Sequence, residues 1–257
     1  IFKSKDKSRM WMHLKILKNK SGNDFYFSSK IGIKGLLDYL KQERVDYVVM
    51  RFFKQLPKLY SKSSDLDILV SDKDERRLKN FLIQNPGNIK IDIWNESEAS
   101  YSGISYFMPR LAKTILQTSI NGPAGSRVPK KKEALLCLIY HSLYHKGLNS
   151  GIISTTSGME TLAKANKKYI NEINDMASEL GIEIGSTMEE LDDFLLKEGW
   201  QPDIGTLAKI AQWNKWVKLR FFSNGSLSKK SFINRLVYYK AKALREINAW
   251  VLNLVSR

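Results

Sequence analysis

Cysteine is almost absent from the sequence: the chain of 257 residues has a single one, Cys137. One cysteine excludes an intramolecular disulfide framework and any zinc module built from several cysteines. Long hydrophobic runs are missing too, since none approaches the roughly 20 residues that a transmembrane helix needs, and no charged-then-apolar leader precedes a small-residue cleavage site. We therefore expect a protein of the reducing cytoplasm, either soluble or peripheral to the inner face of the membrane.

Acidic side chains are scarce beside basic ones. The sequence has 26 Asp and Glu residues against 42 Lys and Arg residues, which gives a formal net charge of +16 at pH 7. A positive excess of this size says nothing about the fold, but it favours anionic partners.

The apolar residues that are present change from strand spacing to helix spacing along the chain. Their pattern predicts a helix over 33–45, strands over 46–53, 65–70 and 89–94, and a helix over 72–84. After residue 100 it predicts helices only, over 111–120, 133–144, 160–180, 188–197, 207–222 and 231–255. The predicted fold class is α+β: a small mixed β-sheet with flanking helices, followed by a mainly α-helical C-terminal region.

A loop rich in glycine, proline and lysine over residues 121–132 follows the first of these later helices. Such a loop is typical of a domain boundary. We therefore predict an α/β domain over residues 1–125 and a helical domain over residues 126–257.

Three aspartates stand out in the predicted sheet. Strand alternation places Asp65 and Asp67 on one face, and Asp92 follows 25 residues after Asp67 on the next predicted strand. Two neighbouring carboxylates repel each other unless a cation lies between them. Mg²⁺ prefers hard oxygen ligands of this kind, and two such ions can clamp the attacking and leaving oxygens of a phosphoryl displacement. The pattern predicts a metal site at Asp65, Asp67 and Asp92.

Residues 30–95 resemble the nucleotidyltransferase superfamily, which has the fold of DNA polymerase beta. The resemblance rests on the order helix, strand, connector, then SDLDILV at 64–70, helix, and a strand that carries Asp92. It implies that Asp65 and Asp67 bind Mg²⁺ or Mn²⁺, and that Asp92 is a third metal ligand or the base for an acceptor hydroxyl. Asp65, Asp67 and Asp92 are thus the implied catalytic residues.

The sequence departs from that family at the end of the first predicted strand. The family has a Gly-Ser pair there that holds nucleotide phosphates, whereas this chain has Arg51 followed by two phenylalanines. Arg51 could replace part of this contact by a bidentate hydrogen bond to phosphate. We therefore expect the donor to be bound by Arg51, with Lys62, Ser63 and Ser64 of the connector nearby.

Two histidines have a spacing that allows a shared metal ion. His141 and His145 lie one helical turn apart, but the zinc-protease signature needs Glu where Ser142 stands. Without a third ligand, packing is the favoured interpretation of this pair. The alternative is that His141, His145 and Lys146 line the cleft and touch donor phosphates.

The last predicted helix, over 231–255, is amphipathic and basic. Its apolar stripe is typical of a helix that covers a core. The alternative is a peripheral membrane contact through residues 229–255, because basic amphipathic helices also bind anionic lipid surfaces.

Together these patterns predict a metal-dependent transferase that moves a nucleotidyl or related phosphoryl-linked group to an acceptor hydroxyl. The donor would be a nucleoside triphosphate or a nucleotide sugar. The acceptor would be a small molecule or a bacterial surface glycan in preference to RNA, because no RNA-binding module is evident. The alternative function is a non-catalytic binding module that holds nucleic acid or a protein through its basic surface, which the missing Gly-Ser pair favours.

Overall fold

The computed structural model describes residues 24–58, 65–97, 105–156 and 167–222. The first two ranges form a four-stranded sheet with two helices. In chain order these elements are β1 Asp24–Phe27, α1 Gly32–Gln42, β2 Tyr47–Val49, β3 Leu66–Val70, α2 Asp72–Gln84 and β4 Ile89–Asn95. The strand order is β1-β4-β3-β2, with β3 and β4 parallel and the two outer pairs antiparallel. The sheet is therefore mixed, as predicted.

Helices predominate in the rest of the described chain. They are α3 Pro109–Thr118, α4 Lys131–Tyr140, α5 Lys168–Leu180, α6 Met188–Lys197, α7 Ile204–Ile210 and α8 Lys215–Phe222. A short hairpin, β5 Ile120–Asn121 and β6 Arg127–Val128, joins α3 to α4. A π-helix, His141–Lys146, continues α4 without interruption. The α+β prediction is confirmed.

Several predicted elements end elsewhere than expected. The strand expected over 46–53 stops at Val49, because Phe52 takes a left-handed conformation (φ 52°) that turns the chain into a 3-10 turn, Phe53–Gln55. The helix expected over 207–222 is two helices. Asn214 breaks it, since its Oδ1 accepts the Val217 N–H at 3.1 Å and so caps α8. Residues 160–166 and 231–255 lie outside the described residues.

The sheet buries both of its faces. On one face, apolar side chains of α1 and α2 meet alternate residues of the strands, such as Ile68 and Ile93. On the other face, Leu69 and Val48 join one continuous core with the helical part. The predicted boundary at residues 125 and 126 falls inside the β5–β6 hairpin, and the division into two domains stays a prediction.

Within the described residues, no helix combines the length and apolarity needed to cross a bilayer.

The carboxylate of Glu189, on α6, links residues 154–156 to α8 by hydrogen bonds. It accepts hydrogen bonds from Ser154 Oγ (2.6 Å), Thr156 Oγ1 (2.6 Å), Trp216 Nε1 (2.9 Å) and the Thr155 backbone N–H (2.8 Å). Burial by itself would raise the pKa of Glu189, but these hydrogen bonds hold it at about 2. Loop 150–156 is thereby tied to α6 and α8.

We expect Glu189→Gln to lower the free energy of unfolding by on the order of 3 kcal/mol at pH 7. An amide keeps one acceptor oxygen, so its NH₂ group must face a donor that the carboxylate satisfied. Because the folded pKa is lowered, this contribution is present above about pH 4.5 and is lost as the pH falls towards about 2. Urea unfolding of the wild type and the variant at pH 7 and at about pH 2 measures this contribution. The exposed Glu183→Gln is the control. Equal stability of both variants at pH 7 would contradict the assignment.

Candidate active site

Aspartates from three adjacent strands form a row across the sheet, which we call the aspartate row (Asp24, Asp67 and Asp92). Asp67 of β3 is paired with Asp92 of β4, and Asp92 with Asp24 of β1. Paired residues of adjacent strands point to the same face of a sheet. Asp65 precedes Asp67 by two residues and so belongs to this face as well. The structure thus brings together the three predicted aspartates and adds Asp24, which the sequence analysis missed.

Two basic side chains neutralise part of this acidic group. Lys90 Nζ lies 3.0 Å from Asp65 Oδ2 and 3.0 Å from Asp92 Oδ1. Arg51 Nη2 lies 2.6 Å from Asp67 Oδ2, and the side chains of this pair are only 7% and 6% exposed. Among the described residues, Lys90 and Arg51 thus place positive charge directly at Asp65, Asp67 and Asp92.

Burial and charged neighbours shift the pKa values of these carboxyl groups in different directions. Burial, followed by the charge of Asp67, raises the pKa of Asp92 to about 8. Burial also raises the pKa of Asp67, although Arg51 opposes it. Burial would raise the pKa of Asp65 too, but hydrogen bonds with Lys90 and Asp92 lower it instead. The carboxyl group of Asp92 thus exchanges its proton near neutral pH.

A cleft of about 760 Å³ opens beside the row, between the sheet and the helical part. Its lining includes the carboxylates of Asp65, Asp67 and Asp92, and the ammonium groups of Lys146 from the π-helix and Lys168 from the start of α5. Aromatic rings line the cleft as well, namely Phe52, Trp94, Tyr106 and Tyr169. The cleft can therefore hold a ligand that has both phosphate groups and a planar or ring-shaped part.

Arg51 lines the cleft next to the aspartate row. Its guanidinium carbon is 5.4 Å from the ring centroid of Tyr106. Among the described residues, Nε and Nη1 of Arg51 and Nε1 of Trp94 have no hydrogen-bond partner. Buried donors of this kind are rare in folded proteins. Two nitrogens of the predicted phosphate ligand Arg51 are thus buried without a hydrogen-bond partner among the described residues.

The two histidines line the cleft, as the alternative interpretation of the sequence predicted. His141 Nδ1 is 2.5 Å from the Tyr106 hydroxyl, and His145 Nε2 donates to the Tyr106 carbonyl at 3.0 Å. Burial, followed by the charge of Arg51, lowers the pKa of His145 to about 3 and that of His141 well below its usual value. Both rings are therefore neutral at pH 7 and do not serve as cationic phosphate ligands. Of the predicted trio, Lys146 also lines the cleft, and its contact with donor phosphates stays a prediction.

Phe52 lies where the family that the sequence resembles has its Gly-Ser pair, and its backbone conformation is unusual for a phenylalanine. Its φ of 52° lies in the left-handed region that glycine favours, and such strain at a non-glycine residue is found mostly at functional sites. The ring lies 4.4 Å from Lys168 Nζ and 6.3 Å from the Tyr169 ring. The phenylalanine thus has the backbone turn of a glycine while its side chain forms part of the cleft.

The chemistry of the aspartates, though not a preformed coordination sphere, fits a divalent cation. Three carboxylates supply the hard oxygen donors that Mg²⁺ and Mn²⁺ prefer. Among the described residues, however, no group of three or more His, Cys, Asp or Glu side chains is arranged to hold a metal ion. Lys90 lies at the point where Asp65 and Asp92 converge. A metal ion held by Asp65 and Asp92 would compete with this ammonium for the same carboxylates.

The residues predicted from the sequence and the residues found at the site differ in part. Lys62, Ser63 and Ser64 lie outside the described residues. Lys90 and Tyr169 were missed by sequence reasoning. The alternation of Lys90 with Asp92 on one strand was the available signal for the lysine, whereas nothing in the sequence places Tyr169 near the sheet.

No protein-family model matches the chain, and no curated protein shows significant similarity to it.

Proposed function

We propose that this chain is a metal-dependent transferase with a nucleotidyltransferase-like fold, which moves a nucleotidyl or related phosphoryl-linked group from an activated donor to an acceptor hydroxyl. One observation carries the proposal. Asp65, Asp67 and Asp92 line the same cleft as Arg51, Lys146 and Lys168. Phosphoryl transfer needs this combination, because it depends on positioning and on neutralising phosphate charge.

Asp65, Asp67 and Asp92 would hold Mg²⁺ or Mn²⁺, which neutralises charge on the phosphoryl group during transfer. Asp92 has an alternative role, as the base that receives the proton of the acceptor hydroxyl. Without a metal ion its pKa is about 8, close to neutral pH, where a general base is most effective. As a carboxylate oxygen of Asp92 takes this proton, the acceptor oxygen bonds to phosphorus and the bond from phosphorus to the leaving oxygen breaks.

The donor would lie in the cleft with its phosphates near Arg51, Lys146 and Lys168. Arg51 offers nitrogens without a partner among the described residues, and Lys146 and Lys168 add exposed positive charge. Lys62, Ser63 and Ser64 remain part of the proposal as further ligands of the donor phosphates. A nucleoside triphosphate or a nucleotide sugar meets these requirements.

The acceptor would be a small molecule or a glycan. Aromatic side chains such as Trp94 and Tyr169 line the cleft and present faces against which a ring can pack. The surface-glycan acceptor and the peripheral membrane contact through residues 229–255 stay predictions.

A second candidate function is a non-catalytic module that binds nucleic acid or a protein through its basic surface. The internal ion pairs favour it, because Arg51 and Lys90 already partner the three aspartates without a metal ion. Binding of this kind would weaken steeply with salt and would not depend on the aspartates.

Thermal unfolding with Mg²⁺ or Mn²⁺ and a panel of nucleoside triphosphates and nucleotide sugars tests the proposal. A metal ion and the correct donor together should raise the melting temperature, because they bind the folded state. Asp65→Asn should remove the increase, since Asp65 is exposed and its loss does not disturb the core. Asp38→Asn, in an exposed ion pair on α1, is the matched control and should keep it. No shift with any combination at millimolar concentration would contradict the enzyme.

A further inference from the structure

The ammonium group of Lys90 lies among carboxylates from three strands. Its Nζ is 3.0 Å from Asp65 Oδ2, 3.0 Å from Asp92 Oδ1, 3.1 Å from Asp92 Oδ2 and 4.0 Å from Asp24 Oδ1. Burial by itself would lower the pKa of Lys90, but the contacts with Asp92 and Asp65 raise it. The lysine is therefore charged throughout the physiological range. It occupies the place that a metal ion bridging Asp65 and Asp92 needs.

The two cations of the site differ in how easily they can leave. Arg51 is 7% exposed, and it is held between Asp67 and the ring of Tyr106. Lys90 is 33% exposed, and its ammonium is carried by a flexible four-carbon stem. Arg51 is thus fixed in place, whereas Lys90 can rotate into solvent without disturbing the core.

We propose that Lys90 is an exchangeable counter-ion, whose ammonium holds Asp65 and Asp92 together in the resting protein and is displaced when a divalent cation binds there. The inference rests on the proposed function, because it concerns the same metal site. No covalent bond changes in this step.

The exchange has a consequence for the order of binding. A free divalent ion must replace the two ion pairs of Lys90 and therefore binds weakly by itself. A metal ion that arrives with the phosphates of its donor brings extra oxygen ligands, and these phosphates offer the displaced ammonium a new anionic partner. Lys90 thus favours the metal–donor complex over the free ion.

Mn²⁺ titration of the full chain, followed by electron paramagnetic resonance of the free ion, tests the exchange. Lys90→Met keeps the stem and removes the charge, so it should bind Mn²⁺ at least about tenfold more tightly than the wild type. Lys34→Met makes the same charge change in the exposed pair with Asp38 on α1. This control should stay within about twofold of the wild type, because α1 packs on the opposite face of the sheet and salt screens exposed charges.

Unfolding in a chelator gives a second readout. Lys90→Met should melt at a lower temperature than the wild type without metal, and Mn²⁺ should raise its melting temperature more. If Lys90→Met does not fold, Lys90→Gln replaces it, since its shorter polar side chain also removes the charge. Lys90→Arg should not bind Mn²⁺ more tightly than the wild type, because it keeps the positive charge.

The two possible failures are distinguishable. If the wild type and Lys90→Met bind Mn²⁺ with equal affinity, or the variant binds it more weakly, the exchange is wrong while the metal-dependent function stands. If both proteins fold and neither binds Mn²⁺ at millimolar concentration, the proposed function is wrong and the exchange with it. Tighter binding by Lys90→Met but not by Lys34→Met supports the inference.

Discussion

Asp67→Asn is expected to abolish the proposed transfer reaction, with a loss of at least about a hundredfold in rate. Asp67 lies at the β3 end of the aspartate row, next to Asp92 across the parallel pair and two residues from Asp65. An asparagine keeps the shape and one acceptor oxygen but removes the negative charge that a divalent cation needs. The rate of donor turnover at saturating Mg²⁺ measures the effect.

The same substitution should also destabilise the protein by about 3–5 kcal/mol, because it leaves a buried guanidinium without its counter-ion. Arg51 and Asp67 are both more than nine-tenths buried. The double variant Arg51→Met, Asp67→Asn separates the two effects. It should recover part of the stability, since the unpaired charge is gone, but none of the activity. Full transfer by a folded Asp67→Asn protein would contradict the proposed role of this carboxylate.

Asp92→Asn is expected to remove a strong dependence of stability on pH. The pKa of Asp92 is raised from an ordinary value of 3.8 to about 8 in the folded protein. Between these two values the folded state holds a proton that the unfolded state has released. The contribution of this group to stability therefore falls as the pH rises from about 4 to about 8, and it levels off above that.

Between about pH 4 and about pH 8, ionisation of Asp92 should lower the free energy of unfolding by on the order of 4 kcal/mol. His141 and His145 act in the opposite direction. Because their pKa values are lowered in the folded protein, the folded state binds fewer protons at acidic pH than the unfolded state does. The difference between the wild type and Asp92→Asn isolates the aspartate, since both proteins contain the histidines. Urea unfolding at pH 5, 7 and 9 measures it. Parallel pH profiles for the two proteins would show that Asp92 ionises normally.

Mn²⁺ binding should respond to the same ionisation. A proton on Asp92 competes with a metal ion for the carboxylate oxygens. The affinity of the wild type for Mn²⁺ should thus increase as the pH rises towards about 8, and titrations at pH 6, 7 and 8 measure the increase.

Local patterns were enough to predict most of the sheet. Alternation over 65–70 and 89–94 corresponds to β3 and β4, and the polar start with an apolar stripe over 72–84 corresponds to α2. β1 was missed, because a strand of four residues is too short to show a period. The turn at Phe52 was missed because nothing local marks a phenylalanine for a left-handed conformation.

The sequence by itself determined that Asp65, Asp67 and Asp92 belong to neighbouring strands, and it determined the excess of positive charge. Strand alternation is a local property of the chain, so the direction of these side chains follows from residue spacing alone. Only the tertiary structure decided that Lys90 and Arg51 are their partners, that Asp24 completes the row, and that the histidines are neutral. Register and burial depend on contacts between residues far apart in the chain, and no local pattern encodes the electrostatic environment that they create.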